Sequence, residues 1–145
     1  MKKKIAIASD HAGFKIKEKI RAYLIEKGYE INDFGTYSEE STDYPDHVHP
    51  LAQAMERGEY KQGIVLCGSG NGVNMTVNKY RHIRSALCWI PEIARLARLH
   101  NDANVLALPG RFLDEQTAKE ITEAFLNTGF EGGRHQNRIN KITGQ

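Results

Sequence analysis

The sequence predicts an α/β fold, a three-layer α/β/α sandwich around a Rossmann-like, five-stranded parallel sheet. Short apolar runs typical of strands alternate five times with stretches of helical periodicity. This alternation favours parallel strands joined by helices. The strand-like runs are continuously apolar, as expected when helices cover both faces of a sheet. The chain of 145 residues has the length of one domain, which we assign to residues 1–145.

The first half of the chain alternates regularly between the two kinds of element. The first predicted helix repeats apolar residues on one side from Phe14, and Gly28 suits the position just after its end. Pro50 fits the second predicted helix only within its first turn, because deeper positions need the amide that proline lacks. The polar segment 35–46 before that helix is predicted to be a loop. The elements in order are a strand over 5–8, a helix over 14–27, a strand over 29–34, a helix over 47–57 and a strand over 63–67.

The second half continues the pattern. Pro91 suits the first position of a helix, and Asp114 suits the residue that caps a helix start. The predicted elements are a helix over 73–79, a strand over 85–89, a helix over 91–100, a strand over 105–108, a helix over 114–129 and a short helix between 133 and 142.

Composition excludes several classes of protein. The chain has 20 Lys and Arg against 18 Asp and Glu, a net charge of +2, without the basic excess of a nucleic-acid-binding protein. The apolar run at residues 5–8 is too short for a secretory signal or a membrane span. Two cysteines form no disulfide framework, and both are expected to be free thiols. We therefore expect a cytoplasmic protein that binds neither nucleic acid nor membranes.

A glycine-rich run follows the third predicted strand. Ligands of parallel α/β folds bind beyond the carboxyl ends of the strands, and here Cys67 is followed by Gly68-Ser69-Gly70-Asn71-Gly72. Three glycines let backbone N–H groups approach a ligand closely, and a helix start favours negative charge. The spacing matches neither a dinucleotide fingerprint nor a P-loop. The run therefore predicts a cradle for a phosphate or an oxyanion.

The two cysteines call for different interpretations. Cys67 stands against the glycine run, where a thiol near a helix start can have a lowered pKa and act as a base or nucleophile. The alternative is an inert cysteine buried in a strand. Cys88 also ends a strand but has no glycine run behind it, and we predict only a structural role for it.

Other polar residues fall where a ligand site is expected. Asp10 and His11 follow the first strand, although on the residues alone a capping Asp beside an exposed His is the favoured interpretation. His100 follows the Pro91 helix, and we expect it on a loop at the ligand end of the sheet. The alternative is a histidine in the last helical turn that only interacts favourably with the helix dipole. Arg134 and Arg138 lie four apart, which suits either a phosphate or a solvated helix face. Asn101 and Arg111 are further candidates.

The histidines do not predict a metal site. His47 and His49 lie near Asp43 and Asp46, but alternate positions of a helix send the two rings to different sides. No recognised zinc spacing is present.

In their order and spacing, six segments resemble the ribose/galactose isomerase family over nearly the whole chain. One branch of that family has a Glu directly after the glycine run, whereas this chain has Val73 and resembles the cysteine branch. The matching segments are Ser9-Asp10-His11, Thr42–Pro45, Cys67–Gly72, Asn78-Lys79, His100–Leu106 and Gly132–Arg138.

The resemblance implies an isomerase that interconverts an aldose phosphate and a ketose phosphate through an enediolate, without metal or cofactor. It implies that Cys67 moves the proton between C1 and C2, and that His100 opens the sugar ring with help from Asp10 or Tyr44. It further implies that Asn101 holds a sugar hydroxyl. The implied enediolate ligands are Ser69 and the loop amides of Gly68, Gly70, Asn71 and Gly72. The implied phosphate ligands are His11, Arg111, Arg134 and Arg138.

The resemblance favours ribose 5-phosphate and ribulose 5-phosphate as substrates. Family members that act on galactose 6-phosphate often lack the cysteine and histidine pattern that this chain has. An isomerase of another six-carbon sugar phosphate, such as allose 6-phosphate, stays open. The alternative of another class is a non-catalytic phosphate- or nucleotide-binding domain, which would need neither Cys67 nor His100. The resemblance also implies a homodimer, or a dimer of dimers, whose shared sites include the tail at residues 131–145.

Overall fold

The computed structural model describes residues 2–144, within which five strands and six helices alternate as the sequence predicts. The strands are β1 (Lys4–Ser9), β2 (Glu30–Asp33), β3 (Gln62–Cys67), β4 (Ser85–Leu87) and β5 (Val105–Pro109). The helices are α1 (Phe14–Glu26), α2 (Tyr44–Glu56), α3 (Asn71–Val77), α4 (Pro91–Asn101), α5 (Glu115–Leu126) and α6 (Arg134–Asn140).

All five strands are parallel and lie in the order β2-β1-β3-β5-β4, which confirms the predicted sheet. The chain leaves β1 towards β2 at one side of the sheet, and it leaves β3 towards β4 at the other side. The direction in which strands are added therefore reverses between the central strands β1 and β3. Ser9 lies opposite Leu66, and Cys67 lies opposite Pro109. The carboxyl ends of β1, β3 and β5 therefore meet at one edge, where ligands of such folds bind.

The core has two halves, one on each face of the sheet. On β1, Ile5 and Ile7 face α1, α4 and α5, whereas Ala6 and Ala8 face α2 and α3. The alternation follows from the two-residue period of a strand, and both sides are apolar because both are covered. These two helical layers complete the predicted three-layer sandwich.

Helix α2 differs from its prediction. It begins at Tyr44 rather than at residue 47, so Pro45 lies in its first turn and Pro50 lies inside the helix. The expectation that Pro50 must occupy the first turn is therefore wrong. Proline has no amide proton, so Pro50 cannot donate the helical hydrogen bond that the Asp46 carbonyl would accept. Both residues are exposed, and water can satisfy that carbonyl. As a consequence, Tyr44 belongs to a helix and not to the preceding loop.

Other boundaries differ by a few residues. Helix α3 begins at Asn71, inside the glycine run, and α5 ends at Leu126. The capping role predicted for Asp114 is confirmed, because its carboxylate accepts a hydrogen bond from the Thr117 amide at 2.7 Å. No helix within residues 2–144 combines the length and apolar character needed to cross a bilayer.

Candidate active site

A cleft of about 510 Å³ opens beyond the carboxyl ends of β1, β3 and β5, and we call it the carboxyl-edge cleft. The sequence predicted a ligand site at this edge. Many of the predicted site residues line it, together with two neighbours. The lining residues are Asp10, His11, Ala12, Tyr44, Cys67, Gly68, Ser69, Gly72, Arg111 and Phe112.

Backbone hydrogen bonds tie the loops of the cleft to one another. The Asp10 amide donates to the Leu66 carbonyl at 3.3 Å, and the Gly110 amide donates to the Cys67 carbonyl at 2.8 Å. The Arg111 amide then donates to the carbonyl of Gly68 at 3.0 Å. Because the loops after β1, β3 and β5 share these bonds, the side chains they carry are held in a fixed relation.

Close packing explains two glycines of the loop. Gly70 has φ +79°, a conformation that favours glycine, and a Cβ there would overlap the Leu87 side chain. A Cβ at Gly72 would overlap the ring of Tyr44. The loop therefore packs against β4 on one side and the start of α2 on the other.

Cys67 is the last residue of β3 and directly precedes this loop. Its side chain is 5% exposed and packs with Val65 and Val73 on the α2–α3 face. The Ser69 hydroxyl accepts a hydrogen bond from the Asn71 amide at 3.2 Å, which leaves its own proton free to be donated. A thiol, a hydroxyl and Gly72 of the first helical turn thus share one cleft, whereas the predicted ligands Gly70 and Asn71 are not among its lining residues.

Cys88 provides the contrast that the sequence predicted. It is completely buried, and its Sγ lies 3.6 Å from the Ala86 carbonyl oxygen. Burial raises the pKa of the Cys88 thiol to about 12, so this cysteine stays protonated at neutral pH. Its surroundings suit packing and not chemistry.

Asp10 and His11 are both oriented by the backbone. The Asp10 carboxylate is buried and accepts a hydrogen bond from the Gly13 amide at 3.1 Å, so it does support the start of α1. The Nδ1 atom of His11 accepts a hydrogen bond from the Thr42 amide at 3.2 Å. An amide can only donate, so the proton of the neutral ring lies on Nε2, which is left free to bind an anion.

The segment that supplies Thr42 is anchored at its beginning by a buried ion pair. Lys17 is fully buried, and its Nζ lies 2.6 Å from a carboxylate oxygen of Asp33. The Gly35 amide donates to Asp33 at 2.9 Å, and the Ser9 amide donates to the Gly35 carbonyl at 2.7 Å. The segment is thereby joined to the end of β1, directly before Asp10.

His100 and Asn101 do not lie at this edge. They form the last turn of α4, which runs from the carboxyl end of β4 back to the amino end of β5. The Asn104 carbonyl just beyond accepts a hydrogen bond from the Gly63 amide at 3.0 Å, near the start of β3. At about 3.3 Å per strand residue, Cys67 lies roughly 13 Å further along β3. The expected position of His100 on a loop at the ligand end is therefore wrong.

The C-terminal tail packs beside His100. The Glu131 amide donates to the Leu99 carbonyl at 3.1 Å, and the rings of His100 and His135 stack with centroids 4.4 Å apart. Arg134 and Arg138 are exposed, four residues apart on α6. We name this region the distal cluster, and its members are His100, Asn101, Glu131, Arg134, His135 and Arg138.

Two members of the distal cluster escaped prediction from the sequence. His135 is 5% exposed, and burial together with the charge of Arg134 lowers the pKa of its imidazole. Glu131 lies 3.9 Å from the Nε2 atoms of both His100 and His135. His135 lies inside the matching segment Gly132–Arg138, but neither it nor Glu131 was assigned a role. Their four-residue spacing was a further sign, and such spacings are common in solvated helices.

Family and structural comparisons agree over nearly the whole chain. Residues 5–142 match the model of the ribose/galactose isomerase family. Ribose-5-phosphate isomerase B of Escherichia coli strain K12 is 46% identical over 141 residues, covering 97% of this chain and 95% of that protein. The resemblance predicted from the sequence motifs is confirmed.

Solved structures show the same similarity. A ribose 5-phosphate isomerase from Thermotoga maritima has a TM-score of 0.94 and 55% identity, covering 96% of this chain and 96% of that one. Ribose-5-phosphate isomerase B from Mycoplasma genitalium with bound ribulose-5-phosphate has a TM-score of 0.91 and 40% identity, covering 98% of this chain and 95% of that one.

Proposed function

The chain belongs to the ribose/galactose isomerase family, and we propose that it interconverts D-ribose 5-phosphate and D-ribulose 5-phosphate. The activity is that of an aldose–ketose isomerase. One observation carries the proposal: Cys67 ends β3 in a cleft that is also lined by Ser69 and by Gly72 in the first turn of α3. We also propose that the protein is cytoplasmic.

Cys67 is the base of the proton transfer. Its thiolate takes the proton from C2 of the open-chain aldose, and the electron pair left behind forms the C1=C2 double bond of an enediolate. The same sulfur returns the proton to C1, while the hydroxyl proton moves from O2 to O1, giving the ketose. Ser69 and the loop amides donate hydrogen bonds to the oxygen on which negative charge develops.

The phosphate is held away from the reacting carbons. His11 contributes its free Nε2–H, and Arg111 lines the same cleft. A phosphate dianion favours several cations, and binding it supplies energy that positions C1 and C2. We assign Arg134 and Arg138 as its further ligands, although their own subunit holds them at the distal cluster.

A second copy of the chain accounts for the distance between the carboxyl-edge cleft and the distal cluster. We propose a homodimer, able to pair further into a dimer of dimers, in which the distal cluster of one subunit completes the cleft of the other. In this arrangement His100 opens the furanose ring with Asp10 or Tyr44, and Asn101 binds a sugar hydroxyl.

An exposed apolar patch beside the cleft supports this dimer. Trp89, Ile90, Ile93 and Phe112 are between 43% and 62% exposed, and the Trp89 and Phe112 rings lie 5.2 Å apart. Phe112 also lines the cleft. Large apolar side chains grouped at a surface favour burial against a partner, and a partner seated here would lie next to the substrate.

The deciding assay compares substrates. We expect the purified protein to turn over ribose 5-phosphate in preference to allose 6-phosphate and galactose 6-phosphate, with a chelator present. Preference for a six-carbon substrate would reassign the specificity within the family. Binding of ribose 5-phosphate without turnover would favour a non-catalytic phosphate-binding domain and overturn the proposal.

A further inference from the structure

Three side chains of the distal cluster converge although no motif joins them. His100 ends α4, Glu131 precedes α6, and His135 lies in the first turn of α6. One ring nitrogen of each histidine and one carboxylate oxygen of Glu131 all lie within 4.8 Å of one another. Within residues 2–144, this is the one group of three or more His, Cys, Asp or Glu side chains close enough to hold a metal ion.

The buried member of the group lacks a partner. His135 is 5% exposed, and its Nε2 atom has no hydrogen-bond partner among residues 2–144. Buried polar atoms are nearly always satisfied, so an unsatisfied one that faces two other ligand atoms needs an explanation. A cation bound between the three side chains would accept the lone pair of that nitrogen.

We propose that His100, Glu131 and His135 form a binding site for a zinc-like divalent cation. Two imidazole nitrogens and one carboxylate oxygen are a ligand set that suits Zn²⁺, with a fourth tetrahedral position left for water or another oxygen ligand. The proposed proton transfer by Cys67 does not use this metal.

Binding requires a modest rearrangement. Atoms around a tetrahedral zinc ion lie roughly 3.4 Å apart, given bonds of about 2.0–2.2 Å. The carboxylate oxygen of Glu131 now lies 3.9 Å from each histidine nitrogen. The two rings are nearly parallel, 16° apart, so one ring must turn before both nitrogens face the same ion. His100 can turn because its side chain is 40% exposed, whereas His135 is held by packing.

Neighbouring charges limit the affinity. Arg134 and Arg138 lie close enough to influence His135 electrostatically, and both repel a divalent cation. The site is therefore weaker than a structural zinc site with several thiolate ligands. Such a site responds to the metal concentration instead of retaining the ion permanently.

Occupancy has a consequence for the reaction, which rests on the proposed function. A metal bound to the Nε2 atom of His100 removes the lone pair that ring opening needs. Zinc is therefore an inhibitor at this site, and chelation restores activity.

Binding is tested first and without reference to activity. Chelator-treated full-length protein is titrated with Zn²⁺ by calorimetry, and Co²⁺ absorption reports the coordination geometry. We expect one ion per chain, with at least tenfold weaker binding in Glu131→Gln and in His135→Gln. Circular dichroism checks that each variant is folded. If His135→Gln does not fold, Glu131→Gln alone tests the site, because Glu131 is half exposed.

The matched control is His82→Gln. His82 is an exposed histidine with its Nδ1 atom 2.8 Å from the Glu56 carboxylate, but this pair belongs to no group of three ligands among residues 2–144. We expect this variant to bind the ion as the wild type does. No stoichiometric binding by the wild type, or binding unchanged by Glu131→Gln, would overturn the proposal.

Inhibition is then tested on ribose 5-phosphate. We expect zinc to inhibit the wild type reversibly and to inhibit Glu131→Gln only at tenfold or higher concentration. Equal inhibition of both proteins would assign the effect to another group, such as the Cys67 thiol, and would overturn the inhibitory role. Absence of isomerase activity in metal-free wild type would contradict the proposed function and leave the binding result standing.

Discussion

The carboxyl-edge cleft and the distal cluster are built in different ways. In the cleft, Cys67 and Asp10 are nearly buried, and backbone hydrogen bonds join the loops that carry them. In the distal cluster, Arg134 and Arg138 are exposed on a helix of 7 residues that adds little to the core. The positions of the cleft side chains are thus fixed within one subunit, whereas the exposed arginines of the distal cluster gain a function only from a ligand or a partner that binds them.

This difference separates two tasks. A proton-transfer site must keep its donors fixed where charge develops, and a parallel sheet with short loops provides such fixed positions. Ligands for the phosphate can arrive from another subunit, because they bind a part of the substrate remote from C1 and C2. The group that opens the ring can do so as well, because ring opening is complete before proton transfer begins. The proposed dimer therefore joins a rigid half-site to an exposed one.

Removing the base is the largest perturbation expected. Cys67→Ala should lower kcat on ribose 5-phosphate by about 10³-fold or more, since general base catalysis contributes roughly 10²–10⁴-fold. Solvent deuterium exchange into ribulose 5-phosphate, followed by NMR, should fall equally, while substrate still binds. Cys88→Ala is the matched control and should keep near-normal turnover. Near-normal activity in Cys67→Ala would show that Cys67 is not the base and that the carboxyl-edge cleft is not the site of proton transfer.

Mixing two inactive variants tests whether the two regions meet across subunits. One chain carries Cys67→Ala, and the other carries Arg134→Ala with Arg138→Ala. If the distal cluster reaches the partner's cleft, each mixed dimer has one site with both defects and one wild-type site. Activity per mixed dimer should then recover towards half the native value, measured after subunit exchange has been verified.

If each subunit instead uses its own distal cluster, every site keeps one defect and mixing restores nothing. That result would rule out the shared site while leaving a phosphate role for the arginines.

His100→Asn should separate ring opening from proton transfer. Turnover of cyclic ribose 5-phosphate should fall by about 10²-fold, within the usual range for lost acid–base catalysis. Solvent deuterium exchange into ribulose 5-phosphate should change only a few-fold, because that sugar has no furanose ring and exchange needs only the enediolate step. Equal losses in the two measurements would place His100 in the proton transfer itself.

The sequence predicted the cleft better than the distal cluster, and the reason is topological. Continuous apolar runs identify parallel strands, and the carboxyl ends of such strands share an edge, so Asp10, Cys67 and Arg111 could be grouped from their order alone. His100 was placed at the wrong edge because it ends a helix and not a strand, and a helix returns the chain to the opposite edge of the sheet.

Other features depend on contacts that sequence order does not encode. The stacking of His100 on His135 and their approach to Glu131 join segments about thirty residues apart, with no shared periodicity. Helix α2 was predicted too short because Pro50 was given too much weight. Its exposed position makes the missing hydrogen bond tolerable, and exposure of one residue depends on how the whole helix packs.

Removing divalent cations should have the smallest effect and bears on both regions. The groups assigned to stabilise the enediolate include backbone amides, and the phosphate ligands are His11, Arg111, Arg134 and Arg138. None of these groups needs a metal. Dialysis against a strong chelator should therefore leave kcat on ribose 5-phosphate unchanged or raise it, where zinc had occupied the distal cluster. The measurement compares initial rates before dialysis, after it, and after adding back Mg²⁺, Mn²⁺ or Zn²⁺ singly. Activity that disappears and returns with only one of these ions would give the metal a catalytic role, and it would replace the amide-based account of the cleft.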